Sequence, residues 1–513
     1  MNGVHASLVR LTLMSLALMT GVCVLSGCPP DLYRPPDVEF TAAPRYGQGQ
    51  LTVQFTNTTV VWTDTKMLYI WDFGDGTSST LESPTHTYTA PGLYSVELIA
   101  VGLTGPTSHR KPDYVIVTTE SFAVAVGSSG REQGRAMVAT AEHGFAIAGS
   151  RLSDQPNTQF FDGLCLDVSA LGPPHWHTIC NKQGPAGDLW FNDIVRLPNH
   201  DYMMAGLSGI APDTSMRLDL LRSTGKRYGW MDMGGGTGQD EAFGAWLTAS
   251  GNVVCVGDTQ RPQATTYDAI IGEYALDEWN RSTVWQRALR IASSDDYHAA
   301  AVVPVAAGGY LVAGTVRAAG ADNDGFLMWT HPNGTFRTSK RYGDPGVDEG
   351  VNALLQTGDG GYALAGYTEA SAKRKMWLLK VNQNGDVQHS ATFGEPETHE
   401  EAFGIVDAGN GTFILVGRSG PEPGNLDFSY GYIVRSTVDF GRQWALRLDA
   451  SVSLGNNLLY DVMPSGDGCF AACGWVDSVH GQYGNGGHDV YLFKFTPAGA
   501  GNPSPTTYSL PSP

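Results

Sequence analysis

Residues 360–366, Gly360-Gly361-Tyr362-Ala363-Leu364-Ala365-Gly366, run into a polar loop, then Met376-Trp377-Leu378-Leu379-Lys380, then Asn384-Gly385. Two apolar runs of strand length, the second followed by an Asn-Gly turn, read as strand, loop, strand and hairpin. The unit recurs. Its anchor is the glycine that ends the first apolar run, found at Gly149, Gly206, Gly257, Gly314, Gly366, Gly417 and Gly474. These seven copies are spaced by 57, 51, 57, 52, 51 and 57 residues. A period of that length, built from short strands and glycine, marks a β-propeller.

Each copy reads as four strands. A polar or acidic pair opens the first, as in Asp240-Glu241-Ala242-Phe243 and Glu400-Glu401-Ala402-Phe403. The anchor glycine ends the second, an apolar run such as Trp377-Leu378-Leu379 makes the third, and Val387–Gly394 is an outer fourth. The seventh copy has no fourth strand, whereas Ser121–Gly127, ahead of the first copy, has the outer-strand pattern. The pattern therefore predicts an all-β propeller over residues 120–497, with an N-terminal outer strand completing the last blade so that no sheet edge is left open there. The repeats resemble the glycine-rich seven-bladed propeller repeats of bacterial secreted and surface proteins. Many members of that family have no assigned activity, so the resemblance implies architecture rather than chemistry.

Residues 37–119 form a separate unit. Leu51–Phe55, Leu68–Trp71, Tyr94–Leu98 and Tyr114–Val117 alternate apolar and polar positions, which suits half-buried antiparallel strands and a β-sandwich. Trp71-Asp72-Phe73-Gly74-Asp75-Gly76, Ser83–Tyr88 and Pro91–Val96 resemble the signature of the PKD domain. The resemblance implies an Ig-like spacer or interaction module and no catalysis. Trp71 is placed as a core anchor. Asp72 and Asp75 fall short of the 6–8 oxygens that calcium takes.

The N-terminus carries Arg10, an apolar run over Leu11–Leu25, and Leu25-Ser26-Gly27-Cys28, which resembles a bacterial lipobox. The resemblance implies a signal peptide over 1–27, cleavage before Cys28, and lipid on Cys28, with residues 28–36 as a Pro-rich tether. The expected location is the cell envelope, lipid-anchored and facing the periplasm or the cell surface. Net charge is −19, which argues against nucleic acid as a partner. Residues 498–513, rich in Pro, Gly and Ser, are expected to be a disordered tail.

Candidate site residues follow from the propeller order, which puts second-to-third-strand loops on one face. There, Tyr267, Phe428, Tyr430, Trp475 and Tyr483 are candidate ligand-binding aromatics. Asp240, Glu241, Asp296, Glu349 and Glu401 enter the innermost strands and are expected to form an acidic collar at the ring's axis. Cys165 and Cys180 lie on neighbouring strands, either as a cross-strand disulfide or as two buried thiols. His175 and His177, and His480 and His488, have no firm third ligand, so no metal and no cofactor are expected. Thr437–Trp444 resembles the Asp-box hairpin of sialidases, itself a structural motif. With no nucleophile-and-base pair in the sequence, an envelope binding or scaffold protein with a protein or glycan partner is the leading reading. A sialidase-like hydrolase or lyase acting on extracellular glycans is the alternative.

Overall fold

The computed structural model describes residues 34–62, 66–102, 104–128, 130–152, 160–181, 187–210, 213–233, 238–261, 266–276, 281–290, 294–318, 320–370, 373–422, 429–448, 456–477, 487–499 and 506–510. The chain divides into two compact units, the second beginning at Ser121. Residues 1–27, expected to be a signal peptide, and Cys28, Phe428, His480 and Tyr483 lie outside the described residues.

The first unit is a two-sheet sandwich. Phe40–Ala43, Leu51–Asn57 and Thr85–Tyr88 form one sheet; Tyr46–Gln48, Gly105–Thr118, Gly92–Gly102, Leu68–Asp72 and Ser78–Ser79, in that spatial order, form the other. The alternation read along Leu51–Asn57 is the observed burial pattern, every second side chain being in the core. Trp71 is fully buried against Phe40 and Phe55, and its indole N–H donates to the Leu81 carbonyl at 3.0 Å. The Asp-rich turn is internally satisfied. Asp72 accepts from Gly74 N, and Asp75 accepts from Thr77 and pairs with His86 at 2.7 Å, whose ring stacks on Phe73. These acids hold a turn.

The second unit is a ring of seven sheets, six of them four-stranded antiparallel meanders and the seventh five-stranded. Their innermost strands are Glu132–Ala139, Asp188–Arg196, Asp240–Leu247, Asp296–Pro304, Glu349–Gln356, His399–Asp407 and Asn457–Pro464. Each of these touches the next, and the last touches the first. Blade seven takes its fourth strand from Phe122–Gly127, antiparallel to His488–Phe495. The closing strand shows why the ring is stable: Ala123 and Ala125 enter the core between blades six and seven, while Val124 and Val126 enter the core between seven and one. Apolar cores of this kind fill every junction between blades, so second strands such as Tyr362–Thr368 are buried on both faces and read as continuous apolar runs.

The tail departs from expectation. Thr506–Ser509 is a fifth strand of blade seven, parallel to the closing strand, with Leu510 buried and its N–H bonded to the Gly127 carbonyl. The closing strand's free edge recruits a segment that has little apolar pattern of its own.

Candidate functional site

Every innermost strand carries one β-bulge at the same point of the repeat. The extra residues are Arg135, Asn192, Phe243, Ala300, Asn352, Phe403 and Tyr460. The bulge also explains the anchor glycines, which lie within their strands rather than at the ends. Each pairs with the residue just ahead of the bulge, and a Cβ there would lie 1.8–1.9 Å from an innermost-strand carbonyl oxygen, as at Gly366 against Gly350. Only glycine fits that approach.

All seven bulge residues line a central channel of about 530 Å³. The residues after two of the bulges, Asp193 and Asp461, are carboxylates that clamp neighbouring blades. Asp193 accepts from Ile194 N at 2.7 Å and from Ala245 N of blade three at 2.6 Å. Asp461 accepts from Val462 N at 2.7 Å and, across the ring's closure, from Met137 N at 2.9 Å. Burial pushes Asp193 up to about 7, helped by the nearby Asp461 charge, and pushes Asp461 up to about 6.

The expected acidic collar does not form, because its members fall at three registers. Glu241 and Glu401 lie one residue before the position opposite the anchor glycine; Asp240 and Glu349 lie two before it, and Asp296 three. Adjacent strand residues face opposite ways, so one collar cannot hold all five. Asp240 and Glu349 are buried, and burial pushes Glu349 up to about 7. Asp296 accepts from Tyr267 N at 2.6 Å; Asp188 and Asp348 make the same bond to Phe161 N and Asn323 N, so this acid is an inter-blade brace. Glu401 is paired with Arg374 at 3.1 Å and Arg418 at 3.3 Å, which cancels its charge.

Glu241 differs. Its Oε1 accepts from Trp190 Nε1 at 2.9 Å and Asn192 Nδ2 at 2.7 Å, and among the described residues it has no cationic partner. It lines a pocket of about 380 Å³ set between blades two, three and four, together with Asp188, Trp190, Leu207, Thr214, Gln239, Phe243, Asp258, Tyr267 and His298. Phe243 also lines the channel, so the two cavities share a wall. Tyr267 is fixed by its hydroxyl donating to Gln239 Oε1 at 2.8 Å, with its ring 5.3 Å from His298. His298 Nδ1 lies 2.5 Å from Asp258 Oδ2 and its Nε2 lies 3.5 Å from Asp296 Oδ2. Burial opposes protonation of His298, but the Asp258 hydrogen bond and the two carboxylate charges outweigh it and raise its pKa. Three aromatic rings, three carboxylates and no Lys or Arg line this pocket among the described residues.

Of the aromatic candidates, then, Tyr267 lines a pocket. Trp475 does not: it lies within the strand Phe470–Asp477, 1% exposed, stacked on His488 at 3.9 Å. The strands run further into these connections than the glycine suggested, which draws Trp475 into the fold. Tyr430 opens a third strand beside Arg447 and lines neither cavity. Trp190 and His298 escaped notice because they stand where other copies have Gln133, Gly350 and Leu458, and only the bulge register brings them together. Cys165 faces Thr178 and Cys180 faces Gly163, two residues out of register, and both are buried free thiols. His175 pairs with Asp167 at 2.8 Å, and no metal-holding cluster occurs among the described residues. The Asp-box-like turn does lie between a third and a fourth strand, with Phe440 in the left-handed region at φ 63°.

Residues 33–117 match the PKD domain. The fold is thus a PKD-type sandwich followed by a seven-bladed propeller. Among solved structures, the chain is similar to a protein of unknown function from Dyadobacter fermentans, at 10% identity over 73% of this chain and 97% of that one, TM-score 0.43. It is also similar to Sqt1 of Chaetomium thermophilum, at 11% identity over 74% and 98%, TM-score 0.42. An endo-arabinase from Bacteroides thetaiotaomicron is similar at 12% identity over 48% and 92%, TM-score 0.32. None of these likenesses bears on activity. The comparison with curated proteins gives no match.

Proposed function

We propose that this protein is a cell-envelope binding protein, held to a membrane by lipid on Cys28, whose propeller captures a glycan in the pocket between blades two, three and four. The PKD-type domain serves as the spacer. The observation that carries the reading is the pocket lining: Trp190, Phe243 and Tyr267 supply ring faces, while Glu241, held through Oε1, supplies a fixed acceptor for hydroxyls. With three carboxylates and, among the described residues, no Lys or Arg in the lining, the pocket suits neutral or amino sugars and repels acidic ones. That argues against the sialidase-like alternative, whose substrate is an anion.

A second reading, a glycan hydrolase or lyase, is favoured by one observation. His298 sits between Asp258 and Asp296, an arrangement that can hold and pass a proton. A glycan array followed by calorimetry on the full chain in detergent tests both. Trp190→Ala and Glu241→Gln should each weaken binding at least about tenfold, the scale of one lost buried contact. A hit that is unchanged in both variants overturns the pocket assignment, a protein rather than a glycan hit replaces the ligand class, and turnover abolished by His298→Ala replaces binding with catalysis.

A further inference from the structure

The seven bulge residues that face the channel differ in one respect. Six are uncharged, and the seventh, Arg135, is a cation. Its guanidinium lies 4.2 Å from the centre of the Tyr460 ring, which packs on Phe403 at 5.4 Å. A guanidinium held over a ring in this way keeps N–H groups that the ring does not use. Among the described residues Arg135 makes no ion pair. The two channel carboxylates, Asp193 and Asp461, form no ion pair with it: each accepts two backbone amides, and burial keeps both protonated to higher pH than an ordinary aspartate. An arginine half-buried in a protein-walled cavity calls for a counter-ion, because a charge removed from water is costly unless paired.

The rest of the lining says what kind of anion fits. Phe243 and Phe403 are apolar walls, and Ala300 leaves blade four's share of the channel open. Asn192 and Asn352 each spend their amide nitrogen on the next blade, donating to the Ala242 and Ala402 carbonyls at 2.9 Å. Their Oδ1 atoms remain as acceptors for hydroxyl or amine groups. A volume of about 530 Å³ is that of a small-molecule site.

We propose that the central channel is a second ligand site, for a small organic carboxylate whose carboxylate docks on the edge of Arg135 and whose body packs against Phe243 and Phe403. The planar fork of the guanidinium matches a carboxylate with two parallel hydrogen bonds. The site is distinct from the acidic pocket, so it does not depend on the glycan reading.

Benzoate, phenylacetate and glucuronate, each against its own amide, are the probes, offered to the full chain in detergent and read by ligand-observed NMR and calorimetry. At least one carboxylate should bind at least about tenfold more tightly than its amide, the discrimination that one charged hydrogen-bonded pair supplies. Arg135→Met should abolish that binding and Arg135→Lys should weaken it. Ala300→Phe, which fills the channel without touching Arg135, should also abolish it, whereas Trp190→Ala should not. The proposal is overturned if no carboxylate binds, if the amides bind equally, or if sulfate and chloride compete as well as the carboxylates do. Undiminished binding in Ala300→Phe overturns it too, even where Arg135→Met fails to fold.

Discussion

A methyl group at Gly366 would sit 1.9 Å from the Gly350 carbonyl oxygen, on backbone that cannot give way without unpairing the bulge. Gly366→Ala should therefore cost about 3 kcal/mol in urea unfolding, the upper end for overpacking, while Gly358→Ala, with nothing within 4 Å, should stay within about 0.5 kcal/mol. The glycines were visible in the sequence, but their reason was not, because it lies in a bulge on another strand. Asp193 and Asp461 carry a pH signature. Their folded values, about 7 and about 6, lie above the ~3.9 of an unfolded aspartate. Their contribution is present in full below pH ~4 and is lost as pH rises through 6 to 7, because the native state holds the protons more tightly. The urea midpoint should fall between pH 5 and pH 8, and Asp193→Asn with Asp461→Asn should flatten that fall.

At the scale of elements, the innermost strand decides which acid does what. Glu401 pairs with Arg374 and with the fully buried Arg418, so Glu401→Gln removes the charge from an interior ion pair and should cost about 3 kcal/mol, measured by thermal or urea unfolding. Glu241→Gln, at the same register in blade three, faces a pocket and should leave the melting temperature nearly unchanged. Sequence periodicity found both strands and both acids, yet it could not separate braces from pocket groups, because one residue of register reverses the side chain's direction. The tail was missed for a different reason. Thr506-Thr507-Tyr508-Ser509 is a strand only because the closing strand offers it a ladder. Deleting residues 506–513 should lower the melting temperature by a few degrees and leave a monodisperse protein. Deleting 122–127, which opens the ring, should give aggregation by size-exclusion chromatography.

For the whole molecule, the division at Ser121 gives two cores of unlike construction, and calorimetry should resolve two transitions. Asp75→Ala should lower only the sandwich transition, since Asp75 organises the turn at Thr77 and pairs with His86. Burial raises the Asp75 pKa, but its bonds to Thr77 and His86 lower it further than burial raises it. Its stabilisation is thus present above pH ~4 and is lost as pH falls, opposite in sign to the channel aspartates. Repeat, blade number and closure were legible because glycine spacing and a missing strand are properties of the chain; the pocket and channel were not, because they are made by seven strands meeting. The closing strand Phe122–Gly127 has one further consequence. It follows directly on Ser121, where the second unit begins, and it is laced on both edges, antiparallel to His488–Phe495 and parallel to Thr506–Ser509. Tension arriving along the chain from the first unit enters the ring through this strand, and it must break two ladders before it can draw the strand out: the point of attachment is also the clasp.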